Sequence, residues 1–195
     1  MNVEALLREV GAMQEGHFLL SSGRHGDRYI EKFALLMRPR DTARVCRLIA
    51  ERFAGARPDT VAGPTTGGIL LAFEIARQLD IRAVYAERTE GGPGREFRRG
   101  ATFQPGERVL VVDDILTTGG AIRETLAALA PHGVETVGIG VLVDRSGGRV
   151  ELGPPLYAAL QADIATYDPA DCPLCRRGLP LVKPGTTIPP GARTA

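Results

Sequence analysis

The apolar positions of this chain change period several times. Val3, Leu6, Leu7 and Val10 recur at helical spacing, so residues 2–13 read as an amphipathic helix. From Gly16 to Ile30 the pattern shortens to two strands joined by a polar turn. Asp41 then stands as the cap of a helix whose Val45, Leu48, Ile49 and Phe53 share a face. Thr60–Gly63 reads as a short strand, Pro64–Gly68 as a turn, Ile69–Leu79 as an apolar helix and Arg82–Ala86 as the next strand. Residues 89–107 look like loop. Val109–Val112 is a continuous apolar run, as expected of a strand buried on both faces. Ile122, Leu126 and Leu129 carry a helix on to His132, and Thr136–Val143 forms a final strand. Beyond Asp163 proline and glycine point to an irregular surface tail. The alternation predicts an α/β domain over residues 1–195, with a mostly parallel central sheet flanked by helices and right-handed crossovers. Such sheets bind ligands beyond the carboxyl ends of their strands, where the chemistry-bearing segments below all lie.

The most informative segment is Val109-Leu-Val-Val-Asp-Asp-Ile-Leu-Thr-Thr-Gly-Gly-Ala121. Its Thr117-Thr118-Gly119-Gly120 turn enters a helix, where free backbone N–H groups and the helix dipole favour phosphate. Asp113 and Asp114 precede that turn and repel anions, so they suit sugar hydroxyls or a metal. The alternative is an ordinary turn with capping acids, which would need one acid and not two followed by Thr-Thr-Gly-Gly. Neither a Gly-x4-Gly-Lys loop nor a Gly-x-Gly-x-x-Gly fingerprint occurs. Gly63-Pro-Thr-Thr-Gly-Gly68, with Thr66 and Gly67 at its apex, is a second turn able to hold an anion. Residues 90–100 hold four glycines and three arginines, Arg95, Arg98 and Arg99, with little that is apolar. This segment reads as a mobile loop whose guanidinium forks suit pyrophosphate, or else as a solvated hairpin. Arg145 follows the last strand and suits a planar carboxylate, a salt bridge to a neighbouring acid being the plain alternative.

The net charge of +1 gives no electrostatic case for nucleic acid or membrane binding, and no run of 18 apolar residues spans a bilayer. The first residues form no signal peptide, so a cytoplasmic protein is expected. Lys32 and Lys183 are the only lysines. Cys172 and Cys175 form a Cys-x-x-Cys pair, with Cys46 far away. Zinc wants four ligands, and His17, His25 and His132 stand at no metal-like spacing. A structural or incidental pair is therefore expected, with a redox pair or a metal bridge across a dimer as the alternatives.

Residues 109–121 resemble the 5-phosphoribosyl-1-pyrophosphate (PRPP) signature of type I phosphoribosyltransferases. With Gly16-His-Phe-x-Leu-Ser-Ser-Gly-Arg-His-x-Asp-Arg-Tyr29, Gly63–Ile69, Ala86-Glu-Arg88, Val143-Asp-Arg145 and the 172–185 tail, nearly the whole chain is similar to the orotate branch of that family. The resemblance implies transfer of phosphoribose from PRPP to orotate. The other readings are a purine phosphoribosyltransferase, which has no reason for Arg145, and a PRPP-sensing regulator, for which the charge offers no nucleic-acid face. It implies a small N-terminal hood and tail formed by residues 1–40 and 164–195. Asp113 and Asp114 would meet the ribose hydroxyls, and Ile115, Leu116, Thr117, Thr118, Gly119, Gly120 and Ala121 the 5′-phosphate side of PRPP. Thr66, Gly67 and Arg88 would meet pyrophosphate, and Thr117 and Arg145 orotate. Mg2+ would arrive on PRPP, with Asp113 or Asp114 meeting it through water and no separate protein metal site. A homodimer is implied, with loop 90–100 reaching the partner's site. Many relatives use a loop lysine for catalysis; here arginine replaces it, and Arg95, nearest the loop tip, is the expected catalytic group.

Overall fold

The computed structural model describes residues 1–20 and 22–184; Ser21 of the polar turn and residues 185–195 of the tail lie outside the described residues. Helix α1 (Val3–Glu9) is capped by Asn2, whose side chain accepts from Ala5 N, and it buries Val3, Leu6 and Leu7. It ends sooner than the 2–13 pattern predicts, because Met13 already pairs with Ile30. That pairing joins β1 (Met13–Leu19) and β2 (His25–Ile30) in an antiparallel hairpin. A short helix the pattern does not show, α2 (Lys32–Leu36), follows; Glu31 caps it by accepting from Phe33 N. Helix α3 (Pro39–Ala54) buries Val45, Ile49 and Phe53 as expected. Asp41 does not cap it. Pro39, whose fixed φ suits a first turn, opens the helix two residues earlier, and Asp41 pairs with Arg44 at 3.2 Å instead.

The remaining elements are β3 (Thr60–Pro64), α4 (Gly67–Leu79), β4 (Arg82–Arg88), β5 (Arg95–Phe97), β6 (Arg108–Leu116), α5 (Gly120–Leu129), β7 (Glu135–Asp144), β8 (Leu156–Gln161), β9 (Thr166–Tyr167) and α6 (Pro173–Arg176). Six strands form the main sheet in the order β5-β4-β3-β6-β7-β8, parallel throughout except for β5. Strand β6 explains why its sequence is apolar without interruption. Leu110 and Val112 pack with α3 and α4 on one face, while Val109 and Val111 pack with Ile122 and Leu129 of α5 on the other. Each of these fully buried side chains contributes about 1.5–3 kcal/mol of transfer free energy. Because the sheet passes from β3 outward in two directions, to β4 and to β6, a crevice opens at their carboxyl ends.

Two expectations for the second half fail. Thr136–Val143 is not the last strand: β8 lies beyond it, a half-exposed edge strand with too little apolar contrast to announce itself. The tail is also not simply irregular. β9 adds to the hairpin as a third strand, β1-β2-β9, and Val182 bridges to Phe18.

Candidate active site at the carboxyl ends of the central strands

Strand β6 runs through both acids to Leu116, so Asp113 and Asp114 belong to the strand and not to the turn after it. Both are buried. Asp113 Oδ1 accepts from Asp114 N at 2.8 Å, and Asp114 Oδ1 accepts from Ile115 N at 2.7 Å, which fixes each carboxylate against its own backbone. Burial, and then the neighbouring Asp114 charge, push the Asp113 carboxyl up to about 7; Lys32 and Arg95 act in the opposite direction. Lys32 Nζ lies 2.7 Å from Asp114 Oδ2, an ion pair that lacks hydrogen-bond geometry, so that buried oxygen keeps accepting capacity. Lys32 is a site residue that no sequence motif singles out. Its one sequence signal is that it is one of two lysines in the chain, three positions after the Tyr29 end of the hairpin motif.

After the acids, Thr117, Thr118 and Gly120 are exposed, as a ligand-holding turn must be. Gly119 precedes α5 at φ 79°, a left-handed conformation that a side chain would strain. No side chain caps α5, which leaves its first-turn N–H groups for an anion. The second glycine-rich turn is packed against Asp114. A Cβ added to Gly67 would lie 1.7 Å from Asp114 Oδ2, so only glycine lets the Thr66-Gly67 turn and the acid share this space. The Thr66-Gly67 turn therefore lies against the acid on the strand that leads into the Thr117–Gly120 turn.

Arg145 N donates to Leu116 O at 2.8 Å, which ties the residue to the end of β6. Its guanidinium is partly buried, its Nε has no hydrogen-bond partner, and burial lowers its pKa, with the Tyr29 hydroxyl opposing. The plain alternative, a salt bridge to a neighbouring acid, has no counterpart among the described residues. Burying a cation without a partner is costly, which marks Arg145 as a candidate ligand-binding residue.

The arginine segment departs most from expectation. Residues 95–97 form β5, antiparallel to β4, and Phe97 packs against Phe103 with ring centroids 5.0 Å apart. Arg95 is not near a loop tip. Its side chain is 3% exposed, donates from Nη1 to Thr65 Oγ1 and Ala86 O at 3.1 Å each, and lies 3.2 Å from Glu124 Oε2. One aromatic residue among the glycines gave the segment enough to bury. Arg98 pairs with Glu96 and Glu90, and Arg99 with Glu87, so both face acids of their own hairpin. Arg88, at the exposed carboxyl end of β4, makes no ion pair or side-chain hydrogen bond among the described residues. Another correction concerns the cysteines. β1 and β2 bring His17 and His25 side by side, and the tail brings Cys172 and Cys175 to them, so the spacing that looked wrong for a metal in sequence is right in space.

The phosphoribosyl transferase domain model matches residues 35–156. The chain is 46% identical over 184 residues to the orotate phosphoribosyltransferase of Pelotomaculum thermopropionicum, covering 94% of this chain and 96% of that one. It is 41% identical to the orotate phosphoribosyltransferase of Thermotoga maritima, over 94% of this chain and 97% of that one. The crystal structure of orotate phosphoribosyltransferase from Aeropyrum pernix is similar at a TM-score of 0.70 and 30% identity, over 83% of this chain and 93% of that one.

Proposed function

The chain belongs to the orotate phosphoribosyltransferase family, and on that premise we propose how its residues divide the work of moving phosphoribose from PRPP to orotate, with release of orotidine 5′-monophosphate and pyrophosphate. The bond from the anomeric carbon to pyrophosphate breaks, the bond to the pyrimidine nitrogen forms, and the ribose passes through an oxocarbenium-like state. Orotate is readily deprotonated, so the protein's contribution is positioning and charge stabilisation. Asp113 and Asp114 accept from the ribose 2′- and 3′-hydroxyls. Thr117, Thr118, Gly119, Gly120 and Ala121 hold the 5′-phosphate at the N-terminus of α5. Thr66 and Gly67 offer backbone to pyrophosphate, and Arg88, exposed and unpaired, meets its charge. Arg95 acts as a positioning residue that holds the Thr65 side of that turn. Lys32 keeps the buried acid pair partly neutralised until the ligand arrives.

The observation that carries the choice of acceptor is Arg145, a partly buried guanidinium with an unpartnered Nε at the strand ends. A purine offers it no carboxylate; orotate does, with Thr117 beside it. The donor set also fits Mg2+: two adjacent carboxylates, one with a buried oxygen that keeps accepting capacity. When bound on PRPP, Mg2+ supplies charge neutralisation of the leaving pyrophosphate.

We also propose a homodimer. Leu70 and Phe73, one turn apart on α4, are 45% and 64% exposed, an apolar face of the kind subunit contacts cover. The turn at 89–94 is the part of the arginine segment free to reach a partner, since β5 is fixed in its own sheet. No described helix is long and apolar enough to cross a membrane. A cytoplasmic setting suits three cysteines that form no disulfide. The test is product formation from PRPP and Mg2+ with orotate, adenine, hypoxanthine or uracil. Turnover with orotate alone is expected, and a purine accepted equally well would overturn the assignment of Arg145.

A further inference from the structure

The chain's second cluster of chemistry lies away from the strand ends, where the hairpin meets the tail. His17 on β1, His25 at the start of β2, Cys172 at the N-cap of α6 and Cys175 within that helix present one ligand atom each, all within 4.8 Å of one another. We propose that these four residues bind a structural Zn2+ ion that staples the C-terminal tail to the β1–β2 hairpin.

The distances carry the proposal. A tetrahedral zinc, with bonds of about 2.3 Å to sulfur and 2.0–2.1 Å to nitrogen, sets its ligand atoms about 3.3–3.8 Å apart. Cys172 Sγ lies 3.5 Å from His17 Nε2, while Cys175 Sγ lies 3.7 Å from His17 Nε2 and 3.4 Å from His25 Nδ1. The two imidazole nitrogens are somewhat closer, at 2.9 Å. Protonation agrees. His17 Nδ1 stands 2.8 Å from Leu179 O, and a carbonyl only accepts, so Nδ1 carries the proton and Nε2 turns its lone pair into the cluster. A ligating histidine is usually fixed in this way, by a bond from its other nitrogen to a backbone carbonyl. Three of the four residues are buried, and two sulfurs with two imidazoles form a donor set that selects zinc over hard cations. Binding converts both thiols to thiolates and releases two protons.

The architecture gives such an ion work to do. The tail reaches the hairpin through a two-residue strand, a four-residue helix and a single bridge, and Leu179, Leu181 and Val182 remain 39–50% exposed. So little apolar burial does not hold a segment by itself, and a metal is a common substitute. The staple acts on the hairpin whose Tyr29 lies near Arg145 and which leads, after Ile30, into Lys32, which pairs with Asp114. Zinc would thus fix the cover of the catalytic crevice without touching substrate, apart from any Mg2+ that arrives with PRPP.

The test uses the full chain, expressed with added zinc and purified without chelator. Elemental analysis is expected to find about one zinc per chain, the stoichiometry of a closed four-ligand site. Cys46→Ser should retain it, and Cys172→Ser/Cys175→Ser should lose it. Because that double variant could fail to fold, wild-type protein is also loaded with Co2+. Tetrahedral two-thiolate coordination gives intense visible bands and sulfur-to-cobalt charge transfer, and His25→Ala should weaken and shift them. On metal removal, hydrogen exchange should speed up at the amides of Leu19 and Val182, which join tail to hairpin. Wild-type protein with almost no zinc and no charge-transfer band would overturn the proposal. So would a Cys172–Cys175 disulfide, seen as a mass lower by two protons and thiols resistant to alkylation.

Discussion

The turn at the end of β6 and the hairpin β4–β5 meet at the same crevice, yet they are specified in opposite ways. In the first, neighbouring residues dictate the geometry: an apolar run makes the strand, Gly119 turns the chain, and uncapped N–H groups open α5. In the second, distant residues decide. Arg95 is held by Thr65, Ala86 and Glu124, and Phe97 by Phe103. A guanidinium among glycines reads as a mobile anion-catcher, but a buried carbonyl and an acid supplied by other elements turn it into a strut.

The sharpest way to break this comparison is to separate the Thr66-Gly67 turn from Asp114. Gly67→Ala puts a methyl group where Asp114 Oδ2 stands, at 1.7 Å, so the acid or the turn must move. Displacements of about 1 Å at a reacting centre cost on the order of 10²-fold, and turnover should fall by at least that much with the far-ultraviolet circular dichroism unchanged. Activity within twofold of wild type would show that the turn and Asp114 work independently.

Arg88 and Arg95 test the two kinds of arginine directly. Arg88→Ala should lower kcat by about 10²-fold at an unchanged melting temperature, as expected of one electrostatic contact made in the transition state. Arg95→Ala should instead lower the melting temperature by several degrees, since it leaves Thr65 and Glu124 without their partner. Arg95→Lys should restore little of it, because a point charge does not replace the fork. The reverse pattern would return the catalytic role to Arg95. Asp113→Asn and Asp114→Asn come next, each losing about ten- to a hundredfold in turnover, the worth of a charge-assisted bond to a ribose hydroxyl. Full activity in both would reduce the acids to structural groups.

The same contrast says how far the chain could be read in advance. The parallel sheet, α3, α4 and α5, both glycine-rich turns and the position of Arg145 were legible because each rests on local periodicity or turn chemistry. β5, β8 and β9 were not, since short edge strands carry little apolar pattern and are held by their partners. Lys32 escaped because its partner, Asp114, is 82 positions away in sequence. The His17–His25–Cys172–Cys175 cluster escaped for the same reason: its ligands come from opposite ends of the chain.

Arg145→Ala should raise the Michaelis constant for orotate about tenfold while leaving that for PRPP nearly unchanged, since only the acceptor would lose a charged partner. Equal rises in both constants, measured by varying each substrate at saturation of the other, would make Arg145 a structural residue of the β7 end.

The smallest effect is one of pH, and it distinguishes a site acid from a helix cap. Asp113 titrates near 7 in the folded chain, against an ordinary value of 3.8. Between those values the folded state holds a proton that the unfolded chain has already lost. Stability of the ligand-free protein therefore falls as pH rises through this window and levels off above about 7, by at most about 1.4 kcal/mol per unit. Asp113→Asn never develops the buried charge. Its melting temperature should match that of wild type near pH 4 and exceed it by a few degrees at pH 8, and taking the difference cancels every other titrating group. The same proton must leave before Asp113 can accept from a ribose hydroxyl through both oxygens, so kcat/KM for PRPP should climb with its half-height near pH 7 and reach a plateau about one unit higher in wild type, and the residual activity of the variant should lack that limb. A melting-temperature difference that stays flat across pH would mean that Asp113 is ionised throughout, and that Lys32 and Arg95 outweigh its burial.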